Sequence, residues 1–357
     1  MITVTKTYLP PIGQYIKYLE KIWESGQVTN HGKFVLALEK KLKRYLDVEH
    51  LFFVSNGTIA LQIAIKALGL KGEIITTPFS YVASTSSIVW ENCKPVFVDI
   101  NPQTLCIDPT KIVSAITKKT QAILAVHVYG NACNLEEIEK IAKKYKLKVI
   151  YDAAHAFGVV YNGTSILNYG DVSALSFHAT KVFHTVEGGA IITRNNKLAE
   201  KISYMRNFGH KGEEAFFGLG INGKNSEFHA AMGLCVLPKV EQFISMRKEI
   251  FDLYKELLQA APIKTPVIQD GIGYNYSYFP VIFQSEKQLL KVRNHLLKNN
   301  IKARRYFYPS LNTLNYVGSF QCPIAEEMAR KALCLPMYAV LSKQDVRKIA
   351  KLVLAAL

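Results

Sequence analysis

The alternation of short apolar runs with helical runs constrains the fold of this 357-residue chain more than any other feature. Mostly apolar runs typical of strands lie at residues 51–54, 73–76, 95–98, 122–127, 147–151, 171–176 and 190–193. Runs with helical spacing separate several of them, at residues 60–68, 82–90, 109–116 and 135–145. Buried strands separated by helices indicate an α/β fold with a mainly parallel sheet covered on both faces. Ligands of such sheets bind beyond the carboxyl ends of the strands.

The segments before and after these alternating strands and helices predict two further parts of the molecule. The first residues have the pattern of an arm followed by a helix. From about residue 238, long helical runs at 241–258 and 286–299 alternate with short strands such as 278–283, which is typical of a smaller α+β domain. We therefore predict an arm with a helix, a large domain and a small domain, at residues 1–30, 31–237 and 238–357.

The formal net charge of +16 needs a physical explanation, and nucleic acid is one candidate partner. Many of the lysines, however, lie in amphipathic segments such as residues 138–145, where a solvated helix face explains them. No zinc-finger or RNA-binding motif accompanies them. A positive potential also attracts small polyanions such as nucleotide diphosphates or dicarboxylates, and we favour this interpretation. We therefore expect no nucleic-acid partner.

The cysteines and the apolar stretches give an expectation for the compartment. Six cysteines are scattered without the paired spacing of zinc or redox sites, so we predict reduced thiols and no metal site. The first residues contain no charged segment that leads into an apolar run, and no apolar stretch approaches membrane-spanning length. These features predict a cytoplasmic protein without a membrane partner.

The loop between the last two predicted strands contains a lysine with unusual neighbours. Lys181 follows Ala179 and Thr180, and Gly188 and Gly189 end the loop where the next strand begins. A lone lysine on a loop is usually a solvated charge. A crowded, partly buried loop would lower the pKa of the amine, and a neutral amine can attack a carbonyl group. We therefore treat Lys181 as a candidate nucleophile.

A junction between a strand and a helix at residues 55–58 has the composition of an anion site. The turn Ser55-Asn56-Gly57-Thr58 lies between a short apolar strand and a run with helical spacing. Free backbone N–H groups and the helix dipole converge at a helix N-terminus, where Gly57 would let the backbone approach a phosphate and Thr58 would add a hydroxyl. Many such turns contain Asn-Gly without binding anything, so this pattern alone leaves both interpretations open.

Two further strand ends carry polar or aromatic side chains. Asp152 and His155 follow the strand at 147–151, and the small residues between them leave room at the edge of the sheet. Asp152 could equally cap a following helix. Tyr81, on another loop at a strand end, could supply a flat aromatic surface or simply pack in the core.

One cofactor uses a reactive lysine, an anion site, an aspartate and an aromatic face together. Pyridoxal 5'-phosphate has an aldehyde for Lys181 and a ring face for Tyr81. Its pyridine nitrogen suits Asp152, whose carboxylate would keep that nitrogen protonated. His155 could reach the ring hydroxyl or help to hold Asp152. The phosphate suits the remaining candidates of the turn and of the lysine loop, namely Gly57, Thr58 and Ser176.

Five sequence segments carry a resemblance to a known family. They are Ser-Asn-Gly-Thr at 55–58, Pro-Val-Phe-Val-Asp-Ile at 95–100, Val-His-Val-Tyr-Gly at 126–130, Asp-Ala-Ala-His at 152–155 and Ser-Phe-His-Ala-Thr-Lys at 176–181. Together, and in this order, they resemble the sugar aminotransferases of the DegT/DnrJ/EryC1/StrS family. The resemblance implies the fold type I, aspartate-aminotransferase-like architecture with a mainly parallel seven-stranded sheet. It also implies pyridoxal phosphate bound in the large domain and a homodimer with active sites at the subunit interface.

The matching motifs imply a role for each candidate residue. Lys181 would hold the aldehyde of the cofactor and serve as general acid and base, Asp152 would face the pyridine nitrogen, and Tyr81 would stack on the ring. Asn225 matches the asparagine that crosses the interface to the phosphate of the neighbouring subunit. The family would use L-glutamate as amino donor and a nucleotide-diphosphate ketosugar as acceptor. The candidates for sugar binding are Asn30, His184, Tyr306 and Tyr308.

Within the family, the segments 79–81, 152–155, 176–181 and 187–189 are most similar to those of enzymes that aminate C4' of dTDP-4-keto-6-deoxy-D-glucose. Such enzymes give dTDP-4-amino-4,6-dideoxy-D-glucose and 2-oxoglutarate, and the amino sugar usually enters a surface glycan such as lipopolysaccharide. Two alternatives stay open. One is the same chemistry at C3' of a dTDP-3-keto-6-deoxyhexose, and the other is a basic DNA-binding regulatory protein that keeps the fold as a scaffold.

Overall fold

The computed structural model describes residues 1–357 and contains strands and helices in alternation. The strands are β1 (Ile2–Thr3), β2 (His50–Val54), β3 (Glu73–Thr76), β4 (Lys94–Phe97), β5 (Thr120–Val126), β6 (Lys148–Asp152), β7 (Val160–Tyr161), β8 (Thr164–Ser165), β9 (Val172–Ser176), β10 (Gly189–Thr193), β11 (Ile272–Gly273), β12 (Phe279–Ile282), β13 (Ile301–Lys302) and β14 (Ala332–Leu335). The helices are α1 (Ile12–Ser25), α2 (Lys33–Leu46), α3 (Gly57–Ala67), α4 (Val82–Trp90), α5 (Pro109–Ala115), α6 (Leu135–Tyr145), α7 (Asn196–Met205), α8 (Glu227–Val236), α9 (Val240–Leu258), α10 (Glu286–Lys298), α11 (Pro323–Lys331) and α12 (Lys343–Ala356). The elements predicted between residues 51 and 193 are all present.

Seven of the strands form one sheet, in the order β2-β10-β9-β6-β5-β3-β4. Only β10 runs antiparallel to its two neighbours, whereas the other neighbouring pairs are parallel. Successive side chains of a strand point to opposite faces, and the successive Ile123, Leu124 and Ala125 of β5 are all fully buried. Both faces of the sheet are therefore covered, which explains the continuous apolar runs. The predicted α/β fold with a mainly parallel, seven-stranded sheet is confirmed.

The start of β10 lies against the turn that precedes α3. A Cβ atom on Gly189 would be 2.5 Å from the backbone carbonyl carbon of Asn56, which is closer than such atoms can pack. Only glycine fits at this position. The contact brings the N-terminus of α3 close to the end of β9, where the loop that contains Lys181 begins.

The C-terminal third has a hydrophobic core of its own. Helices α9, α10 and α12 pack together beside the antiparallel pair β12 and β14, and they bury Tyr254, Phe279 and Leu296. This arrangement gives the α+β character that the sequence predicts, whereas the exact domain boundaries stay predictions. All six cysteines are buried and unpaired. None of the helices combines the length and apolar character that a bilayer crossing requires.

The first residues form an arm that connects the small domain with the lysine loop. Strand β1 pairs in parallel with β13, and the Val4 carbonyl accepts a hydrogen bond from the Met337 N–H at 3.0 Å. Further along the arm, the Thr7 hydroxyl donates to the Ala179 carbonyl at 2.9 Å, two residues before Lys181. The arm therefore contacts two parts of the molecule that are far apart in sequence.

Candidate active site

A cavity opens at the carboxyl ends of β6 and β9, with residues of the C-terminal third on its other side. This is the edge of a parallel sheet at which ligands are expected. Most of the predicted site residues line the cavity, namely Gly57, Thr58, Tyr81, Asp152, His155, Ser176, Lys181 and Tyr306. The residues that the structure does not bring to the cavity are Asn30, His184, Asn225 and Tyr308.

Lys181 lies in the cavity on the loop after β9. A backbone hydrogen bond from the Lys181 N–H to the His178 carbonyl, at 2.9 Å, holds this loop in a turn. Burial lowers the pKa of the Lys181 amine from 10.5 to about 8, although the electrostatic interaction with Asp152, and to a smaller extent with Tyr81, acts in the opposite direction. A larger share of this amine is neutral near neutral pH than in an exposed lysine, which suits a nucleophile.

Asp152, the last residue of β6, is buried and receives a hydrogen bond on each carboxylate oxygen. The Ser84 hydroxyl donates to Oδ2 at 2.7 Å, and the Ala154 N–H donates to Oδ1 at 3.1 Å. Burial raises the pKa of Asp152, whereas the two hydrogen bonds and the charge of Lys181 lower it. The hydrogen bonds from Ser84 and Ala154 thus favour the ionised carboxylate, whereas its removal from water favours the protonated form.

The hydroxyl groups behind Asp152 form a chain with a defined direction. Ser80 Oγ lies 2.8 Å from Ser84 Oγ, and both side chains are buried. The single hydroxyl proton of Ser84 points to Asp152 when that carboxylate is ionised, so Ser80 must donate to Ser84. Sequence analysis missed both serines. Their spacing of four residues around the start of α4 was the signal that could have found them.

The start of α3 forms a cradle for an anion. Asn56 caps the helix by accepting a hydrogen bond from the Ile59 N–H at 2.9 Å, whereas the N–H groups of Gly57 and Thr58 have no partner in the protein. A Cβ on Gly57 would lie 3.0 Å from the Cβ of Ser176 and would narrow the space between them. Free N–H groups, the helix dipole and nearby hydroxyls together suit a phosphate.

Two ring side chains border the cavity at positions that the sequence predicts. Tyr81 immediately precedes α4 and is 54% exposed. His155 is buried, and its Nδ1 accepts a hydrogen bond from the Tyr129 N–H at 3.3 Å while its ring stacks on Phe307 at an angle of 6°. Burial, and then the charge of Lys181, holds the pKa of His155 well below its usual value. His155 is therefore neutral and carries its proton on Nε2.

His184, a predicted sugar contact, supports the N-terminal arm instead of lining the cavity. Its Nε2 lies 2.7 Å from the Tyr8 carbonyl, and its Nδ1 accepts a hydrogen bond from the Val186 N–H at 3.3 Å. A carbonyl only accepts, so the proton of the neutral imidazole is on Nε2. The side chain is buried because it joins the arm to the lysine loop.

The other three residues outside the cavity have partners of their own or lie on the surface. Asn225 is buried, and its amide donates to the carbonyls of Val54 at 3.3 Å and Glu187 at 3.2 Å. Tyr308 is half exposed beneath the guanidinium of Arg305, and Asn30 adopts a left-handed φ of 62° in the loop before α2. Their roles toward sugar or phosphate stay predictions.

The cavity also contains charged groups that sequence analysis did not select. His178 and Glu187 lie 3.6 Å apart, and both flank Lys181 in sequence. From the C-terminal third come Tyr278, Arg304 and Phe307. The Arg304-Arg305-Tyr306 segment is visible in the sequence, but nothing in the sequence distinguishes the arginine that faces the cavity from the one that does not.

Most of the chain matches one family of known proteins. The family model for the DegT/DnrJ/EryC1/StrS aminotransferase family matches residues 12–354. The chain belongs to this family. It is 47% identical over 355 residues to dTDP-4-amino-4,6-dideoxy-D-glucose transaminase of Shigella dysenteriae, covering 98% of this chain and 97% of the relative. An Escherichia coli protein with the same name is 44% identical, with 99% and 98% covered.

A solved structure supports the fold independently. The crystal structure of DesI in the presence of its TDP-sugar product superposes with a TM-score of 0.94 at 28% sequence identity. The match covers 99% of this chain and 92% of that one. The expected family and the expected fold type I architecture are therefore both confirmed.

Proposed function

We propose that this chain is a pyridoxal-phosphate-dependent aminotransferase that moves the amino group of L-glutamate to C4' of dTDP-4-keto-6-deoxy-D-glucose. The products are dTDP-4-amino-4,6-dideoxy-D-glucose and 2-oxoglutarate. One observation carries the proposal: Lys181 and Asp152 line one cavity together with a free helix N-terminus, in a chain 47% identical to a transaminase named for that sugar.

The residues of the cavity fit pyridoxal phosphate. The unpartnered N–H groups of Gly57 and Thr58, with the Ser176 hydroxyl beside them, would hold the phosphate. Lys181 would bind the aldehyde, and Asp152 would hold a proton on the pyridine nitrogen. When bound, the cofactor supplies a carbonyl group that carries the transferred amine and a ring that accepts electrons. No metal is needed for this chemistry.

Lys181 has two tasks in this proposal. Its amine, made less basic by burial, is the nucleophile that holds the cofactor. Once released, the same Nζ would remove a proton from the α-carbon of the amino donor and, in the second half of the reaction, would supply one to the acceptor carbon of the ketosugar, because it is a basic group inside the cavity. The hydrogen bonds from Ser84 and Ala154 favour the ionised form of Asp152 against burial, which raises its pKa. Neutral His155 can donate from Nε2, and Tyr81 would cover one face of the ring.

We further propose a homodimer with shared active sites. The arm and the first helix expose Leu9, Ile12 and Trp23 by about 70% each, and such apolar side chains are usually covered by another protein surface. Asn225 is the candidate for a contact with the phosphate of the partner subunit. A cytoplasmic location, and use of the product in a surface glycan such as lipopolysaccharide, complete the proposal.

The test is the mass of the product. Purified protein is incubated with pyridoxal phosphate, L-glutamate and either dTDP-4-keto-6-deoxy-D-glucose or its 3-keto isomer, and the mixtures are analysed by mass spectrometry. We expect an amino sugar from the 4-keto compound. If only the 3-keto compound gives an amino sugar, the enzyme is a C3' aminotransferase and the proposed C4' transfer is wrong.

A matched control separates catalysis from scaffold function. Lys181→Ala should give no product and should lose the visible absorbance of the bound cofactor, while circular dichroism stays unchanged. If wild-type protein shows neither cofactor absorbance nor product but binds DNA with a steep salt dependence, the regulatory alternative is correct. No observation on the molecule favours that alternative.

A further inference from the structure

Arg304 is a cation of the cavity wall that has no partner in the protein. Its guanidinium makes no hydrogen bond and no ion pair, and its one specific contact is with the ring of Tyr306, at 4.6 Å from the ring centroid. Its backbone is fixed, because Arg304 and Cys334 exchange two hydrogen bonds of 3.1 and 2.8 Å. The charged group therefore projects from a rigid base toward the cavity.

Three other arginines near the core differ from Arg304, because their guanidinium groups have partners within the protein. Arg305, the next residue, pairs with Glu286 at 2.6 Å. Arg206 pairs with Glu39, and Arg247 donates to the carbonyls of Ser277 and Met337 at 3.2 and 3.3 Å. Each of these guanidinium groups donates to at least one acceptor within the protein. Arg304, by contrast, is exposed and has no such partner, and it is the arginine that lines the cavity.

The acidic groups of the cavity have other neighbours, and neither pairs with Arg304. Glu187 is paired with His178, and both oxygens of Asp152 accept hydrogen bonds from Ser84 and Ala154. Next to Arg304, the hydroxyls of Tyr278 and Tyr306 make no hydrogen bond with the protein either. Burial raises the pKa of Tyr306 to about 12, so this hydroxyl keeps its proton at neutral pH.

We infer that Arg304, with the hydroxyls of Tyr306 and Tyr278, forms a site for an oxyanion of the substrate. A guanidinium presents a planar fork of donors that matches a carboxylate or a phosphate, and neighbouring hydroxyls complete the set. The inference rests on the proposed function, which supplies two sources of such an anion. One is a carboxylate of the amino donor, and the other is the diphosphate of the nucleotide sugar.

Two unreactive probes distinguish these sources. Glutarate carries the carboxylates of the donor without an amine, and dTDP carries the diphosphate without a ketosugar. Their dissociation constants are measured by titration calorimetry on the cofactor-loaded wild type, on Arg304→Gln and on Arg347→Gln. Arg347 is an exposed arginine of α12 outside the cavity, so its replacement removes the same charge and serves as the matched control.

We expect Arg304→Gln to weaken binding of at least one probe by roughly 10- to 100-fold, the usual effect of losing a hydrogen-bonded charge pair. Arg304→Lys, which keeps the charge and loses the fork, should lie between wild type and glutamine. Weaker binding of glutarate alone assigns the site to the donor, of dTDP alone to the nucleotide sugar, and of both to a shared subsite.

The inference is overturned if Arg304→Gln and Arg347→Gln bind both probes equally well, or if the wild type binds neither. Circular dichroism checks that the variants fold, and Arg304→Lys provides the same comparison if Arg304→Gln does not. Failure of the proposed function has a different signature, which is the absence of amino sugar from wild-type protein that still binds a probe through Arg304.

Discussion

The two walls of the cavity differ in how completely their polar groups are satisfied. On the sheet-side wall, Asp152 and the two serines that support it, Ser80 and Ser84, each have a partner within the protein. On the C-terminal wall, which consists of Tyr278, Arg304 and Tyr306, the donors are free. A satisfied network fixes one geometry and suits a group that remains bound. The free donors of the C-terminal wall leave their hydrogen bonds to a ligand that arrives from solution, as the free N–H groups of Gly57 and Thr58 leave theirs to a phosphate.

Among the changes that test this comparison, we expect the largest effect from Asp152→Asn, which disrupts the sheet-side wall. The amide keeps the size of the carboxylate but not its charge, and its NH₂ group would face either the Ser84 hydroxyl or the Ala154 N–H. A hydrogen bond to a charged group contributes about 1.5–3 kcal/mol, and about 1.4 kcal/mol corresponds to a tenfold change in rate. We therefore expect kcat to fall about 100-fold, measured at saturating substrates with circular dichroism as the fold control. A change below about fivefold would show that the charge of Asp152 is not required.

The second prediction concerns Ser84→Ala, which tests whether the serines position Asp152. We expect a smaller effect from this change than from Asp152→Asn. The Ser84 hydroxyl favours the ionised carboxylate, so its removal should raise the pKa of Asp152 further. Activity that needs the ionised form is then lost at a higher pH as the solution is acidified. We expect the acid limb of the pH profile of kcat/KM to move up by about one pH unit, which corresponds to about 1.4 kcal/mol.

Ser87→Ala is the matched control for this change. Ser87 is also buried on α4, but its hydroxyl donates to the Ala83 carbonyl at 2.7 Å and does not reach Asp152. Ser87→Ala should therefore have the same acid limb in its pH profile of kcat/KM as the wild type. Equal acid limbs for Ser84→Ala and Ser87→Ala would mean that the serine chain has only a packing role.

The smallest effect concerns the C-terminal wall. Tyr306→Leu removes the ring on which the Arg304 guanidinium lies, and a cation–π contact of this kind contributes about 0.5–1 kcal/mol. Binding of whichever probe Arg304 recognises should weaken about threefold in calorimetry. Tyr306→Phe keeps the ring and isolates the contribution of the hydroxyl. If Tyr306→Leu binds as tightly as Tyr306→Phe, the ring does not orient Arg304.

Local sequence patterns were sufficient to predict the large sheet. Strands such as β3 and β5 are buried on both faces, so their apolar runs stand out from the amphipathic helices between them. The order of the strands, and the pairing of Ile2–Thr3 with Ile301–Lys302, depend on contacts between distant segments that no local pattern encodes. The fold type I architecture was therefore predicted from the family resemblance and not from these local patterns.

The candidate site was predictable to the extent that its residues belong to contiguous motifs. Lys181 and Asp152 stand in recognisable segments at strand ends, whereas Ser84 matters because of where its hydroxyl points. The closeness of His184 to Lys181 in sequence suggested a sugar contact. The structure directs its ring to the arm, and its role toward the sugar stays a prediction. Arg304 and Arg305 are adjacent, yet only the fold decides which one finds an acidic partner.

The pairing of Ile2–Thr3 with Ile301–Lys302 has a consequence for biosynthesis. A ribosome makes the chain from its N-terminus, so the first strand has no partner until about three hundred further residues have been synthesised. The arm, and with it the contacts of Thr7 and Tyr8 to the lysine loop, therefore takes its final place after most of the chain has emerged. A segment that is translated late thus completes the surroundings of the lysine loop, which was translated long before.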